Sequence, residues 1–271
     1  MYDSHTHLNE PKLFANRKDY LQKFIESGWK WLINSWASQE YNLNWIEITK
    51  NFKQTNDFFL KSTLWFHPLE IVYWDINEAN ISNEMDQIKK LYLENQEDIV
   101  AIWECWIDVH FDEWKTLNLQ KKLFWLHCDL AQELNLPIIV HSRDELNETL
   151  DVLKNYKNLT IYFHCRSYWP QDIKFLQDNY PKLFVGFCGN ITYKKSQNLL
   201  DSIKMLDISK LLLETDAPDL APQEVRWTTN HPANVVYIYN FVAKYLNMDL
   251  QELSDQIEKN FLNLYNKITK D

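Results

Sequence analysis

Glycine is scarce in this sequence. The 271 residues include 3 glycines and 12 tryptophans, whereas an average usage of about 7% predicts roughly 19 glycines in a chain of this length. Turns and close backbone contacts normally use glycine because it has no Cβ atom. Turns in this chain therefore lack their usual residue.

Positive charge is also scarce. The chain has 28 Lys and Arg residues against 38 Asp and Glu residues, which gives a formal net charge of −10. Non-specific affinity for nucleic acid comes mainly from Lys and Arg that displace counterions, so this balance argues against a broad basic surface. A phosphate-bearing substrate therefore has to meet a local positive charge, such as a metal ion.

Long apolar runs and paired cysteines are absent from the sequence. No run approaches the roughly 20 apolar residues that span a bilayer, and the opening residues MYDSHTH carry no secretory signal. The four cysteines, Cys105, Cys128, Cys165 and Cys188, form no C-x-x-C pair. We therefore expect a cytoplasmic protein in a reducing compartment, with no membrane partner.

Short apolar runs alternate with amphipathic segments along the whole chain. Strands are predicted at 1–7, 31–35, 62–67, 99–104, 137–141, 160–164, 183–187 and 211–216. Eight strands, each followed by a helix, predict a TIM barrel, the (β/α)₈ fold, whereas an open doubly wound sheet, the alternative, more often has five or six. No linker and no repeat interrupts the pattern, so we expect one domain over residues 1–271.

Two helices are well marked. Leucines at 119, 123, 126, 130 and 134 lie on one helix face, and Pro137 ends that helix. In the final segment, Asp249 is positioned to cap a helix whose apolar face is Leu253, Ile257, Phe261 and Leu264.

Polar residues follow several of the predicted strands at their carboxyl ends. They are His5, His7, Glu104, His141, His164 and Asp216. In a barrel these ends converge on one face, where the active site is built. A single histidine at a strand end is usually structural, but imidazole and carboxylate groups on five strands match the ligands of two divalent cations. Glu104 has two oxygens and can bridge such ions.

The motifs around these residues resemble one known family. DSHTHLN, HSRD at 141–144, FHC at 163–165, GFCGNITYKK at 186–195 and ETDAPDLAP at 214–222 are similar to the TatD family of metal-dependent hydrolases, in the amidohydrolase superfamily. The motifs occur in the same order through nearly the whole chain. The resemblance implies a barrel fold and a deoxyribonuclease activity.

The resemblance also implies roles for individual residues. His5, His7 and Asp216 would bind one ion, His141 and His164 a second, and Glu104 would bridge the two, which would be Mg²⁺, Mn²⁺ or Zn²⁺. Two ions can clamp a phosphate, activate water and neutralise developing charge. Asp216 would orient or deprotonate that water, and DNA, in single strands or at ends, is the expected substrate.

Three further residues are candidates for substrate binding. They are Arg143, His67 and Arg226, and for each of them a structural role is an equal alternative. The chain also departs from the family pattern in CRSYWP after His164, in HPLE, and in having His231 where the family has an acid. These departures leave the substrate open, with RNA or a small phosphodiester as alternatives to DNA.

Tryptophan occupies positions where the family has glycine. These positions are Trp36, Trp65, Trp103, Trp106 and Trp227. Overpacking costs on the order of 1–3 kcal/mol at each such position. We hypothesise that the five codons are UGA, read as glycine in the source organism, which UGG codons or native peptide masses with tryptophan would refute. The alternative is a lineage that lost its glycines.

Two other functions remain open on the sequence. One is a C–N or ester hydrolase of a small molecule, although many such enzymes bridge their metals through a modified lysine and this chain has Glu104 there. A phosphoesterase of the polymerase-and-histidinol-phosphatase type also opens on H-x-H, but ETDAP argues against it. The second is a catalytically impaired binding barrel, which native tryptophans at positions 103 and 106 would favour.

Overall fold

The computed structural model describes residues 1–35, 48–50, 58–64, 79–105, 107, 115–142, 145–165 and 169–266, without the side chains of Glu104 and Cys105. Within these ranges, eight parallel strands form a nearly closed barrel in the order β1 to β8. The strands are β1 (Tyr2–Thr6), β2 (Trp31–Asn34), β3 (Phe59–Leu64), β4 (Ile99–Cys105), β5 (Ile138–Val140), β6 (Ile161–Phe163), β7 (Leu183–Phe187) and β8 (Leu211–Leu213). The predicted TIM-barrel fold is confirmed.

Helices follow the strands and cover the barrel. They are α1 (Pro11–Phe14), α2 (Arg17–Glu26), α3 (Ile81–Glu94), α4 (Leu117–Leu134), α5 (Leu146–Leu153), α6 (Pro170–Asn179), α7 (Gln197–Met205), α8 (Val235–Leu246) and α9 (Leu250–Leu264). Short 3₁₀ helices lie at Gly189–Thr192, Ile208–Lys210, Gln223–Val225 and Pro232–Asn234. None of the described helices has the length and apolar character that a membrane span requires.

The last four strands are buried on both faces. Every residue of β5, β6, β7 and β8 is buried, as expected for parallel strands between a barrel interior and a layer of helices. The first and the last strand of the barrel are joined by backbone hydrogen bonds at their carboxyl ends. The amide of Asp216 donates to the carbonyl of His5 at 3.0 Å, and the amide of His7 donates to Ala217 at 2.8 Å.

The last helix forms as its sequence predicts. The Asp249 carboxylate accepts hydrogen bonds from the amides of Gln251 (2.8 Å) and Glu252 (3.3 Å), and so caps α9. The four apolar residues of its predicted face, at 253, 257, 261 and 264, are all buried against the barrel. The spacing of these apolar residues, by four and by three positions, therefore predicted the buried side of this helix correctly.

The third strand begins earlier than the sequence indicates. We predicted residues 62–67, and β3 covers Phe59–Leu64. Lys61 interrupts the apolar run, but its Nζ atom donates to the carbonyl of Glu97 at 2.8 Å. The long side chain thus keeps the ammonium group outside the sheet. The ring of Phe59 stacks on Trp31 of β2, with centroids 4.1 Å apart, which anchors the start of the strand.

An irregularity interrupts β4 near its carboxyl end. Ile102 pairs with Ile138 and Cys105 pairs with Val140, so three steps along β4 are matched by two along β5. One extra residue in a strand is the pattern of a β-bulge, and bulges are common beside functional sites. The bulge places residues 103 and 104 at the mouth of the barrel.

Candidate metal centre

The first group of candidate ligands joins the two ends of the barrel sheet. The Nε2 atoms of His5 and His7 are 3.3 Å apart, and the Oδ1 atom of Asp216 lies 3.1 Å from His7 Nε2 and 3.7 Å from His5 Nε2. The backbone bonds between the ends of β1 and β8 fix this arrangement. Three donor atoms therefore converge on a space of the size that one cation occupies.

The hydrogen bonding of His7 prepares its Nε2 atom to bind a cation. Nδ1 of His7 lies 2.9 Å from the carbonyl oxygen of Ser35, which can only accept, so Nδ1 carries the proton. In the neutral ring, Nε2 then presents a lone pair to the carboxylate of Asp216. Two acceptors that face each other at 3.1 Å need a proton or a cation between them. A carbonyl that orients an imidazole in this way is usual at metal sites.

His5 lies at the centre of the arrangement and is fully buried. Burial, together with the neighbouring His164, His7 and His141, holds the pKa of His5 well below its usual range. The ring is therefore neutral at physiological pH, which is the form that binds metal. Its Nδ1 atom has no hydrogen-bond partner among the described residues. A buried, neutral and incompletely bonded imidazole fits a metal ligand.

The second group of candidate ligands is adjacent to the first. Nδ1 of His141, after β5, is 3.0 Å from Nε2 of His164, after β6. The ring of His164 stacks on His5, with centroids 4.1 Å apart and an interplanar angle of 20°. The structure thus brings together five of the six residues that the sequence nominates. Their donor chemistry, nitrogen with carboxylate oxygen, fits divalent cations.

A buried carboxylate that the sequence reasoning missed supports the second group. Glu214 is fully buried after β8 and lies with its Oε1 atom 3.7 Å from Nδ1 of His164. It also accepts hydrogen bonds from the amide of Cys165 and the hydroxyl of Tyr162. A carboxylate behind a histidine orients the ring toward a metal. The ETDAP motif contains Glu214, but its role depends on contacts with β6 that sequence spacing does not reveal.

The Tyr162 hydroxyl explains one of the few glycines. The side chain of Tyr162 crosses to β7, and a Cβ atom on Gly186 would collide with its ring and its hydroxyl. The same hydroxyl lies 2.8 Å from Oγ of Ser4 on β1. Glycine at position 186 therefore allows a hydrogen-bonded link from β1 through β6 to Glu214.

Asp216 lies in a backbone conformation that β-branched residues avoid. Its φ angle is 52°, in the left-handed region, where Asp and Asn are tolerated better than most residues. The loop around it is held by Asn230, whose Nδ2 atom donates to the carbonyls of Thr215 (2.9 Å) and Asp219 (2.7 Å). Asn230 is fully buried.

We expect Asn230→Ala to lower the free energy of unfolding by about 2–3 kcal/mol, because two backbone carbonyls, one of them buried, lose their donor. Urea denaturation measures the change, and Asn83→Ala, at an exposed position in α3, is the control with an expected change within about 0.5 kcal/mol. Equal effects of the two substitutions would show that the amide of Asn230 does not hold the loop.

Trp103 is packed directly against the candidate ligands. Its side chain is 0% exposed, and its ring centroid lies 4.6 Å from His5 and 5.2 Å from His7. The ring of His164 is 6.0 Å away. The indole thus fills space at the barrel mouth beside both groups of ligands, where a catalytic site needs an open position for water and substrate.

The remaining predicted site residues lie in different surroundings. Glu104 belongs to β4, and its backbone lies at the barrel mouth, but its side chain, like His67 and Arg143, is outside the described part of the structure. Arg226 is exposed, with its guanidinium carbon 3.9 Å above the ring centre of Tyr193. His231 stacks on Tyr20, 4.7 Å between centroids, and burial lowers the pKa of His231 to about 4.

Two of the five tryptophans at glycine positions of the family lie in the described part of the structure, and they differ in exposure. Trp103 is fully buried, whereas Trp227 is 92% exposed, and Trp36, Trp65 and Trp106 lie outside the described residues. A tryptophan that exposes nearly its whole surface contributes little to folding. Trp103 packs in the buried hydrophobic cluster, whereas Trp227 lies outside it.

A family model for TatD-related DNases matches residues 2–266. The chain belongs to this family. It is 24% identical to the metal-dependent hydrolase YabD of Bacillus subtilis, with 98% of both chains covered. It is 28% identical to a metal-dependent hydrolase of Buchnera aphidicola from Acyrthosiphon pisum, with 98% of this chain and 99% of the relative covered. Membership of the family makes the chain a metal-dependent hydrolase.

Solved structures of TatD homologues have the same fold. The Escherichia coli homologue YJJV superposes with a TM-score of 0.83 at 23% identity, with 98% of each chain covered. A TatD family hydrolase from Entamoeba histolytica gives a TM-score of 0.84 at 18% identity, over 98% of this chain and 97% of that chain. At these identities the agreement concerns the fold.

Proposed function

We propose that the protein is a two-metal phosphodiesterase that cleaves DNA, in single strands or at ends. The observation that supports this function is the convergence of His5, His7 and Asp216 beside His141 and His164 at the carboxyl end of the barrel. The name of the matching family gives DNA as the substrate class. The net charge of −10 favours binding through the site itself over binding through a broad surface.

The residues of the chain divide the work of the proposed reaction. His5, His7 and Asp216 would hold one ion, His141 and His164 a second, and Glu104 would bridge them. Divalent ions at these positions would supply a Lewis acid for the phosphate and a water of lowered pKa. Ser35 orients His7 through its carbonyl, and Glu214 lies behind His164. The second oxygen of Asp216 would accept the proton of the attacking water.

Substrate contacts would come from the loops around the barrel mouth. Arg143 is the second residue after His141, and Arg226 lies in the loop after β8. The guanidinium of Arg226 stacks on Tyr193, whose hydroxyl donates to the carbonyl of Ala221 at 2.8 Å. Stacking fixes the plane of the guanidinium but leaves its N–H edge to bind a phosphate. We propose His67 as a third contact.

Hydrolysis of labelled single-stranded DNA with Mg²⁺ or Mn²⁺ tests the proposal. The chain as written is compared with a variant that has glycine at positions 36, 65, 103, 106 and 227. We expect cleavage by the glycine variant, little cleavage by the chain as written, and complete loss with excess EDTA, because the ions supply the positive charge at the site.

Other substrates in the same assay separate the alternatives. Duplex DNA, single-stranded RNA and a chromogenic phosphodiester are matched for phosphate concentration. Faster cleavage of the small phosphodiester than of any oligonucleotide would contradict a DNA substrate. Inactivity of both chains on all phosphodiesters would contradict the phosphodiesterase and favour a C–N or ester hydrolase.

A further inference from the structure

Two cysteines that are distant in sequence meet beside the metal centre. Cys165 follows β6 and Cys188 follows β7, and these strands pair with Phe163 opposite Val185. The Sγ atoms of the two cysteines are 2.6 Å apart. Cys188 is buried and Cys165 is partly exposed. Parallel pairing of the two strands therefore places two thiols in contact, and one of the two residues is partly exposed.

A thiophilic metal ion is one explanation for this contact, because Glu214 lies close enough to be a third ligand. Two observations argue against it. Both oxygens of Glu214 already accept hydrogen bonds, from the amide of Cys165 and the hydroxyl of Tyr162. Two thiolates on one tetrahedral ion lie about 3.7 Å apart, given metal–sulfur bonds of about 2.3 Å, and these sulfurs are much closer.

We propose that Cys165 and Cys188 form a reversible disulfide bond, so that the pair is an oxidative modification site at the edge of the metal centre. A peroxide is the oxidant. The Cys165 thiolate attacks one peroxide oxygen, the O–O bond breaks, and a sulfenic acid and hydroxide result. The hydroxide takes up the proton that the Cys165 thiol released and becomes water. Cys188 then attacks the Cys165 sulfur, which forms the S–S bond and releases a second water. Both cysteines are oxidised, and peroxide is reduced.

The surroundings of the pair set its reactivity. The hydrogen bond to Cys188 and burial raise the pKa of the Cys165 thiol, and burial raises that of Cys188. The product is uncharged, which suits a place beside the carboxylates of Glu214 and Asp216.

The disulfide bond would link the ends of β6 and β7 beside the candidate metal ligands. Cys165 directly follows His164, and its amide is bonded to Glu214. Closing a loop of this length constrains the unfolded chain, so we expect the midpoint of thermal unfolding to rise by about 5 °C on oxidation. Dithiothreitol should reverse the rise.

Peptide mapping of the full chain under non-reducing conditions tests the proposal. The protein is treated with hydrogen peroxide, unreacted thiols are alkylated, and the peptides are identified by mass. We expect one cross-linked pair that joins residue 165 to residue 188 and disappears with dithiothreitol. Cys128→Ser, which removes another buried cysteine, should leave the cross-link and the shift in melting temperature unchanged, and Cys188→Ser should abolish both.

Several results would overturn the proposal. Alkylation of both Cys165 and Cys188 after oxidation, or conversion of Cys165 to sulfinic acid in the presence of Cys188, would show that the pair does not close. A cross-link that instead uses Cys105 or Cys128 would have the same meaning. An absorption band from cobalt–thiolate bonds that appears with Co²⁺ and is lost in Cys188→Ser would assign the pair to a metal site.

Discussion

Trp103→Gly is expected to raise the affinity of the protein for Mn²⁺ by at least about tenfold, which corresponds to about 1.4 kcal/mol. The indole ring packs 4.6 Å from the ring centre of His5 and 5.2 Å from that of His7. Removing it relieves overpacking on the order of 1–3 kcal/mol and admits the water that a divalent ion keeps in its coordination shell. Isothermal titration with Mn²⁺ measures the change.

The same substitution is expected to change the free energy of unfolding by less than about 1 kcal/mol. Truncation of a buried tryptophan normally costs about 3–5 kcal/mol, because a cavity is left behind. The space that Trp103 would leave is lined by the imidazoles of His5, His7 and His164. A polar cavity of this kind fills with water, whereas an apolar one stays empty. Urea denaturation measures the stability.

Trp31→Gly is the matched control for this prediction. Trp31 is also buried in a strand, but it stacks on Phe59 in the core, away from the histidines. We expect it to lose about 3–5 kcal/mol or more of stability, with Mn²⁺ affinity unchanged in the folded protein. If Trp103→Gly destabilises the chain as much as Trp31→Gly and leaves Mn²⁺ affinity unaltered, then Trp103 is an ordinary core residue.

Asp216→Asn, made in the chain with glycine at position 103, is expected to reduce the rate of DNA hydrolysis by at least about 100-fold. The carboxylate is both a candidate ligand, 3.1 Å from His7 Nε2, and the proposed base, and a general base contributes about 10²–10⁴ to a rate. Asn tolerates the left-handed backbone at this position, where φ is 52°. The loss should therefore appear in kcat and in Mn²⁺ affinity without loss of folding.

Asp219→Asn is the control for Asp216. Asp219 lies three residues further along the same loop, is 68% exposed and pairs with Lys12 at 3.2 Å. An exposed ion pair of this kind contributes little to stability. We expect activity within about twofold of the parent, because the Asp219 side chain pairs with Lys12 and only its backbone amide, which the substitution keeps, bonds to Asp216. If Asp216→Asn retained full activity, the proton acceptor and one metal ligand would have to be sought elsewhere.

The sequence contains much of the information that determines the barrel. Short apolar runs predict β1 to β8, and helical spacing with a capping residue predicts α9. These signals are visible because each depends on neighbours within a few residues. The error at β3 has a local cause, since Lys61 looks like the end of a strand and instead extends its charge to Glu97. The bulge in β4 depends on pairing with β5 and is not visible in the sequence of either strand.

The candidate ligands can also be predicted from the sequence, because the carboxyl ends of all barrel strands lie on one face. His5 and His7 on one strand, and His141 and His164 on two others, needed only the correct topology. Glu214 and the pair Cys165 and Cys188 were missed because their roles arise from contacts between strands, with partners 23 to 52 residues away. Asn230 was missed because its two carbonyl partners lie 15 and 11 residues away within the loop after β8.

Anomalous scattering from Mn²⁺-soaked crystals, of the unaltered chain and of the Trp103→Gly variant, tests whether two ions bind at the barrel mouth. We expect two peaks in the variant, one among His5, His7 and Asp216 and the other beside His141 and His164, with lower occupancy of both in the unaltered chain. Absence of peaks from the barrel mouth in both crystals, or a single peak at Cys165 and Cys188, would contradict it.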